Sequence, residues 1–145
     1  MSLSCIVPDW PAPRAVRALV STRAGGVSLP PYDSLNLAGH VGDAPQAVAD
    51  NRARLRGLLP AEPVWLEQVH GCAVAATEAA TGVPRADASV ARTPGQVCAV
   101  LTADCLPVLF CDRAGSAVAA AHAGRRGQAA RVQEATQARQ GVPAQ

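Results

Sequence analysis

Residues 108–122 decide the fold, and they read VLFCDRAGSAVAAAH. An apolar run from Val108 to Cys111 is followed by the turn-forming residues Asp112 to Gly115 and by a second apolar run from Ser116 to His122. Two short apolar runs that flank a turn ending in Gly are typical of a β-hairpin. Because small side chains dominate the second run, we expect another element to pack closely against it.

Other segments of the chain show weaker strand signals. Strands are predicted over four segments: Arg14 to Thr22, Val64 to Leu66, Ala73 to Ala76 and Val97 to Thr102. The residues from Gly82 to Asp87 are predicted to form a turn.

Two segments have helical signals. Asp43 is predicted to cap a helix that has Pro45 in its first turn and extends to Pro60, with Val48, Asn51 and Leu55 on one face. A second helix is predicted from Gln128 to Gln140. Strands outnumber helices and no Rossmann or P-loop glycine pattern is present, so the sequence predicts an α+β fold.

The composition excludes several classes of protein. The chain has 145 residues, 49% of them hydrophobic, and a net charge of +2, which fits one folded domain spanning residues 1–145. No apolar stretch approaches the roughly 18 residues of a membrane span, and no basic cluster is interleaved with aromatic residues. We therefore expect no membrane and no nucleic-acid partner, and, without a signal-peptide pattern, a cytoplasmic location.

Three side chains at the ends of predicted strands could share one site. They are His70, Cys105 and His122, and each lies close to Gly or Pro. Two imidazoles and a thiolate suit Zn²⁺, and three protein ligands leave a fourth position open for water or substrate, as in catalytic zinc sites. The five cysteines are an odd number in a chain without export signals, which favours metal binding, catalysis or burial over a disulfide framework.

The same residues support other interpretations. Cys105 with His122 or His70 as base would make a cysteine hydrolase. Each of the three could also be a structural residue, because cysteine is often buried and a histidine at a strand end often bonds a backbone carbonyl. Spacing alone does not separate these possibilities.

Other polar residues are candidates for substrate binding or proton transfer. Arg23, beside two glycines, could contact an anion or phosphate, and Asn36 and His40 lie in a long loop that could reach a ligand. Asp104 adjoins Cys105 and could act as a general acid or base. Gln68 lies two residues before His70, hence on the same face of the predicted strand, and could donate to a substrate.

Five segments together resemble one known family. They read STRAGGVS (21–28), YDSLNL (32–37), WLEQVHG (65–71), TADCLP (102–107) and AHAG (121–124). In this order they closely resemble the YfiH-type family, also known as laccase-domain or polyphenol oxidase proteins and regarded as purine nucleoside phosphorylases.

The resemblance implies a layered α/β/β/α sandwich with zinc held by His70, Cys105 and His122. It implies phosphorolysis of adenosine, inosine, guanosine and methylthioadenosine, deamination of adenosine, and purine nucleosides and phosphate as partners, with a homodimer as the assembly to test. A copper-dependent polyphenol oxidase is an alternative. One Cys/His₂ site fits it less well, because reduction of dioxygen to water needs several copper centres.

The chain departs from the family pattern near its C-terminus. Family members continue well beyond residue 145, and Arg125 stands where the family usually has Trp. The predicted last helix carries Gln128, Arg131, Gln133, Gln137 and Gln140, and it offers little apolar surface to bury. We therefore expect an N-terminal fragment whose last helix is polar, and an inactive scaffold is a further alternative.

Overall fold

The computed structural model describes residues 3–124, 131–132 and 134–138. The chain divides into a first compact unit, Met1–Pro11 with Arg17–Pro60, and a second, Ala12–Val16 with Ala61–Gln145. Two sheets and few helices within the described part confirm the predicted α+β class. Helices in this part are all too short or too polar to cross a bilayer. The assignment of residues 1–145 to a single partial domain stays a prediction.

The first unit contains a small two-stranded sheet. Strand β1 (Cys5–Ile6) pairs antiparallel with β2 (Val20–Ser21). The strand predicted over Arg14 to Thr22 is therefore wrong in extent. Only its last part is a strand, because residues 14–15 form a turn in which the N–H of Val16 donates to the carbonyl of Pro13 at 2.9 Å.

Helix α1 (Pro45–Arg56) follows in the first unit, with Pro45 in the first turn as predicted. The predicted capping role of Asp43 is wrong, because Ala44 is the N-cap and no side chain caps the helix. The Asp43 carboxylate instead accepts hydrogen bonds from Ser28 Oγ at 2.5 Å and Asn36 Nδ2 at 3.1 Å. The Asp43 carboxylate therefore bonds to residues of the preceding loop and does not cap the N-terminus of the helix, as the local sequence had predicted.

The buried face of α1 agrees with the predicted spacing. Val48, Asn51 and Leu55 are all buried, and the helix ends at Arg56, before the predicted limit at Pro60. Leu58 beyond it is exposed.

The second unit is built on a four-stranded sheet in the order β3-β4-β6-β5. Its strands are β3 (Val74–Ala76), β4 (Ala88–Ala91), β5 (Leu106–Cys111) and β6 (Val118–Ala123). Strands β3 and β4 are parallel, and the other two pairs are antiparallel. The predicted hairpin is confirmed as β5 and β6.

Strand β4 has no counterpart among the predicted strands. Its sequence, Ala-Ser-Val-Ala, is short and carries no bulky side chain, yet all four residues are buried. It lies beside β6, where Ala119, Ala120 and Ala121 are also buried. The close packing predicted for the small residues of β6 is thus confirmed.

Two predicted strands, Val64 to Leu66 and Val97 to Thr102, are wrong. An isolated bridge joins Val64 to Cys98, but neither segment forms a regular strand. One reason is the Gln68 side chain, whose amide donates to the carbonyl of Leu101 at 2.8 Å and accepts from its N–H at 2.7 Å. A side chain therefore occupies backbone groups that a neighbouring strand would otherwise pair.

The core of the second unit includes part of the predicted last helix. Residues 131, 132 and 134–138 are helical, whereas Gln128, Gln133 and Gln140 lie outside the described residues. Val132 is fully buried with Ala88 and Ala121, and Val74, Val108 and Phe110 pack against this cluster. The expectation that this helix has little to bury is therefore too strong: Val132 joins the core of the sheet, and Thr136 is also buried, with its hydroxyl donating to the Val132 carbonyl.

Candidate metal centre

His70, Cys105 and His122 come together in the second unit. One ligand atom from each, an imidazole nitrogen or the thiol sulfur, lies within 4.8 Å of the other two. The two imidazole rings meet edge to face, with centroids 5.0 Å apart and planes at 71°. Among the described residues, this is the group of three or more His, Cys, Asp or Glu side chains able to surround a metal ion.

The β5–β6 hairpin places two of the three residues of this cluster. Pro107 of β5 is the register partner of His122 of β6, and Leu106 is the partner of Ala123. Cys105 immediately precedes β5, so the thiol and the imidazole lie at the same open end of the hairpin. The hairpin turn that the sequence predicts therefore explains why residues 17 positions apart share one site.

Asp87 fixes His122 from the neighbouring strand. Ala88 of β4 pairs with Ala121 of β6, and the next residues outward are Asp87 and His122. The His122 N–H donates to the Asp87 carbonyl at 2.7 Å, and His122 Nδ1 lies 2.8 Å from Asp87 Oδ2. Asp87 has no exposed surface and His122 is 5% exposed, so this pair is held inside the protein.

The same carboxylate holds the turn that carries His70. Asp87 Oδ1 accepts the N–H groups of Val69 at 3.0 Å and Gly71 at 2.9 Å, while Oδ2 accepts that of His70 at 2.9 Å. His70 has φ of 60°, in the left-handed region that side chains other than glycine rarely occupy. Three consecutive N–H groups directed at one carboxylate stabilise this backbone conformation.

These hydrogen bonds determine the charge and the tautomer. Burial acts to raise the pKa of Asp87, but hydrogen bonds from Gly71, His122, Val69 and His70 together lower it. Asp87 is then an ionised acceptor, so His122 Nδ1 carries the proton of their shared hydrogen bond. His122 Nε2 is left as the nitrogen with a lone pair for a metal.

The donor set fits a tetrahedral ion. Zn–N and Zn–S bonds of about 2.0–2.3 Å separate tetrahedral ligands by about 3.5 Å, which small side-chain rotations reach from the present spacing. A histidine ligand whose other nitrogen donates to a carboxylate is the usual arrangement at zinc. His122 is buried, Cys105 half-buried and His70 exposed, so the cluster is open to solvent on the His70 side.

Gln68 and Asp104 lie near His70 and Cys105 in sequence but have different surroundings. The strand that would place Gln68 on one face with His70 is not formed, and the Gln68 amide is bound to Leu101. Asp104 is exposed beside Cys105. Gln68 thus holds the backbone of Leu101, whereas Asp104 faces solvent.

Arg23, Asn36 and His40 belong to the first unit. The Arg23 guanidinium donates to the Asp33 carbonyl at 2.9 and 3.1 Å and contacts its carboxylate at 3.2 Å, yet its side chain is 77% exposed. Asn36 is bound to Ala38 and to Asp43. His40 is exposed.

Sequence reasoning missed Asp87, which it placed at the end of a turn. The residues after it, Ala88 to Ala91, are small and gave no strand signal, so nothing in the local sequence indicated that this carboxylate is buried. Its partners depend on the pairing of β4 with β6 and were not visible in the sequence.

A mixed α+β unit with a His-Cys-His cluster at the open end of a β-hairpin defines a candidate metalloprotein. Residues 17–142 match the family model described as multi-copper polyphenol oxidoreductase laccase, and the chain belongs to this family.

Several named proteins of this family are similar to the chain. It is 64% identical over 137 residues to the purine nucleoside phosphorylase YfiH of Escherichia coli, covering 90% of this chain and 55% of that protein. It is 58% identical over 138 residues to the purine nucleoside phosphorylase PA4543 of Pseudomonas aeruginosa, covering 95% of this chain and 57% of that protein. The chain thus spans little more than half the length of these relatives.

Solved structures show the same fold. The crystal structure of the Neisseria meningitidis protein NMB0706 superposes with a TM-score of 0.87 at 54% identity, covering 96% of this chain and 58% of that one. The YfiH protein of Bacillus licheniformis superposes with a TM-score of 0.69 at 29% identity, covering 80% of this chain and 48% of that one.

Proposed function

We propose that the chain carries the zinc centre of a purine nucleoside phosphorylase. Two similar proteins bear that name, and the proposed substrates are adenosine, inosine, guanosine and methylthioadenosine, each with phosphate. Deamination of adenosine is proposed as a second activity of the same centre. The observation that carries the proposal is the set of three ligand atoms within 4.8 Å of one another.

Zinc held by His70, Cys105 and His122 would supply a Lewis acid that polarises a bound group and lowers the pKa of a water to about 7. The protein supplies the fixed ligands: a buried His122 whose Nδ1 proton is bound to Asp87, and an exposed His70 on a braced turn. The exposed side of the cluster gives a small molecule access to the ligands.

Phosphorolysis joins a phosphate oxygen to C1′ of the ribose while the bond from C1′ to the purine nitrogen breaks. The leaving purine takes up a proton, and we assign this transfer to Asp104, the exposed carboxyl group beside Cys105. Gln68 is proposed to act by holding the Leu101 backbone. Arg23, with an exposed guanidinium, is proposed to bind phosphate, and Asn36 and His40 to bind substrate.

Metal content and product formation test this proposal separately. Metal analysis by mass spectrometry should find about one zinc per chain in the wild type, and loss of zinc in His70→Ala and Cys105→Ala. Cys72→Ala is the control, since Cys72 is a half-buried cysteine outside the cluster. Unchanged zinc in both ligand variants would refute the metal site.

The activity is measured with adenosine and phosphate. Adenine with ribose 1-phosphate reports phosphorolysis, and inosine reports deamination. A chain that binds zinc and forms none of these products is the inactive scaffold. Reconstitution with copper, followed by an assay of phenol oxidation, tests the polyphenol oxidase alternative that the family description raises.

A cysteine hydrolase is the second candidate, favoured by the proximity of the Cys105 thiol to two imidazoles. Alkylation of Cys105 separates the two functions when it is done on metal-free protein. A hydrolase loses ester or amide hydrolysis on alkylation and needs no zinc, whereas a metal site loses zinc uptake.

A further inference from the structure

Asp87 contacts both histidine-bearing segments of the cluster with one carboxylate. Oδ2 lies 2.8 Å from His122 Nδ1 and 2.9 Å from the His70 backbone nitrogen, while Oδ1 accepts the flanking N–H groups of Val69 and Gly71. Within the described residues, His122 and the turn at 69–71 are thus joined through a fully buried group.

We propose that Asp87 is a positioning residue that sets the His122 tautomer and the His70 turn together, so that both imidazoles are prepared for a metal before it binds. This inference rests on the proposed zinc centre. It adds that the geometry of two ligands depends on a third residue that contacts neither metal nor substrate.

The consequence for His122 follows from valence. An imidazole that donates from Nδ1 to a carboxylate has its lone pair on Nε2, and it cannot exchange the two roles without losing that hydrogen bond. An amide at position 87 could present either an oxygen or an NH₂ group to the ring, so it would not impose one tautomer.

The consequence for His70 follows from the backbone. A histidine at φ of 60° is strained, and three N–H groups bound to one carboxylate offset this strain. In Asp87→Asn, one carboxylate oxygen becomes an NH₂ group. This hydrogen-bond donor then faces at least one of the three backbone N–H groups, which are also donors. The turn should therefore open more often, and the His70 ring should lose its fixed position.

The protein offers a matched control at the opposite end of the hairpin. Asp112 also braces a turn, where its carboxylate accepts the N–H groups of Ser116 at 2.7 Å and Ala117 at 3.2 Å and binds the Ser116 hydroxyl. It lies beside Cys111 and Val118, whereas the ligands lie beside Leu106 and Ala123. Asp112→Asn should therefore weaken a turn without changing the metal site.

The test compares wild type, Asp87→Asn and Asp112→Asn by competition with a chromophoric zinc chelator. Zinc affinity should fall about 10- to 100-fold in Asp87→Asn and change less than about 2-fold in Asp112→Asn. If Asp87→Asn binds zinc with the same affinity as the wild type, this inference is overturned and the proposed function is unaffected. A wild-type chain that takes up no zinc overturns both.

Two measurements on the metal-free wild type test the proposed role of Asp87 even if Asp87→Asn fails to fold. Long-range ¹H–¹⁵N correlation at pH 8.5 should show His122 protonated on Nδ1, and the amides of residues 69–71 should exchange slowly. A His122 ring protonated on Nε2, or amides at 69–71 that exchange at the rate of an open loop, would overturn the inference.

Discussion

Asp87 and His122 are joined twice, by a backbone hydrogen bond of 2.7 Å and by a side-chain contact of 2.8 Å. The first is the continuation of the β4–β6 pairing, in which Ala88 lies opposite Ala121. The second depends on the first, because the shared register places the two side chains side by side. A one-residue slip of β4 would move Asp87 to the other face of the sheet and remove both histidines' support.

The backbone at His70 gives the first prediction. Because φ is 60°, His70→Gly should unfold at a higher urea concentration than His70→Ala, by about 0.5–1 kcal/mol in free energy of unfolding. Both variants lose the same imidazole and its contact with His122, so they differ only in backbone freedom and one methyl group. Urea unfolding in the presence of a chelator measures the difference.

Both variants should fail to retain zinc, which serves as an internal check on the ligand role. A glycine variant less stable than the alanine variant would show that the turn at 69–71 is not held in the left-handed conformation.

Local and non-local signals explain what could be predicted from the sequence. The β5–β6 hairpin was predictable because a turn-forming segment and two apolar runs are adjacent in the chain. Strand β4 was not, because Ala88 to Ala91 carry no bulky or aromatic residue and depend on their neighbours for strand structure.

The candidate site also has a part that the sequence could predict and a part that it could not. The positions of His70, Cys105 and His122 beside Gly or Pro made them candidates, and family resemblance selected them together. The bracing by Asp87 and the bonds from Gln68 to Leu101, 33 residues away, depend on tertiary pairing and leave no local pattern.

Gly26 gives the second prediction, for the first unit. A Cβ at this position would lie 2.1 Å from the Ser34 carbonyl oxygen and 2.6 Å from Asn51 Oδ1, so Gly26→Ala must displace backbone. We expect a loss of about 1–3 kcal/mol or more. Gly39→Ala is the control, because a Cβ there meets nothing within 4 Å.

Thermal unfolding of Gly26→Ala, Gly39→Ala and the wild type measures this effect. Equal midpoints for all three would mean that the loop at Ser34 does not approach Gly26 as closely as described.

Asn51 gives the third prediction. Its fully buried amide accepts the Val27 N–H at 2.8 Å and donates to Ser28 Oγ at 2.9 Å and to the Asn36 carbonyl at 2.8 Å. Asn51→Leu keeps the branched shape of the side chain but removes every one of these bonds. Each buried group left without a partner costs about 1–3 kcal/mol, so the variant should unfold at a clearly lower urea concentration.

Asp50→Asn on the same helix is the matched control, because Asp50 is exposed and binds Gln46 within the helix. It should change the free energy of unfolding by less than about 0.5 kcal/mol. A comparable loss in both variants would assign the effect to the helix and not to the buried amide.

Cys98 gives the fourth prediction, a pH dependence. Burial, together with a smaller effect of the charge of Glu78, raises the pKa of its thiol to about 11. The thiolate is the nucleophile, so at pH 8 the folded protein should be alkylated by iodoacetamide at Cys98 on the order of 100 times more slowly than the urea-unfolded chain. In folded protein the rate should rise about tenfold per pH unit and continue to rise beyond pH 9.

The raised pKa of Cys98 also makes the free energy of unfolding depend on pH, in a direction that follows from the sign of the shift. Since the folded thiol holds its proton to higher pH than the unfolded one, the stability from the neutral thiol is complete below about pH 9 and is lost between pH 9 and about 11. The urea midpoint of the wild type should therefore fall over this range more steeply than that of Cys98→Ala. An alkylation rate that levels off near pH 9 would assign the slow reaction to poor access alone, and parallel midpoint curves would contradict the raised pKa.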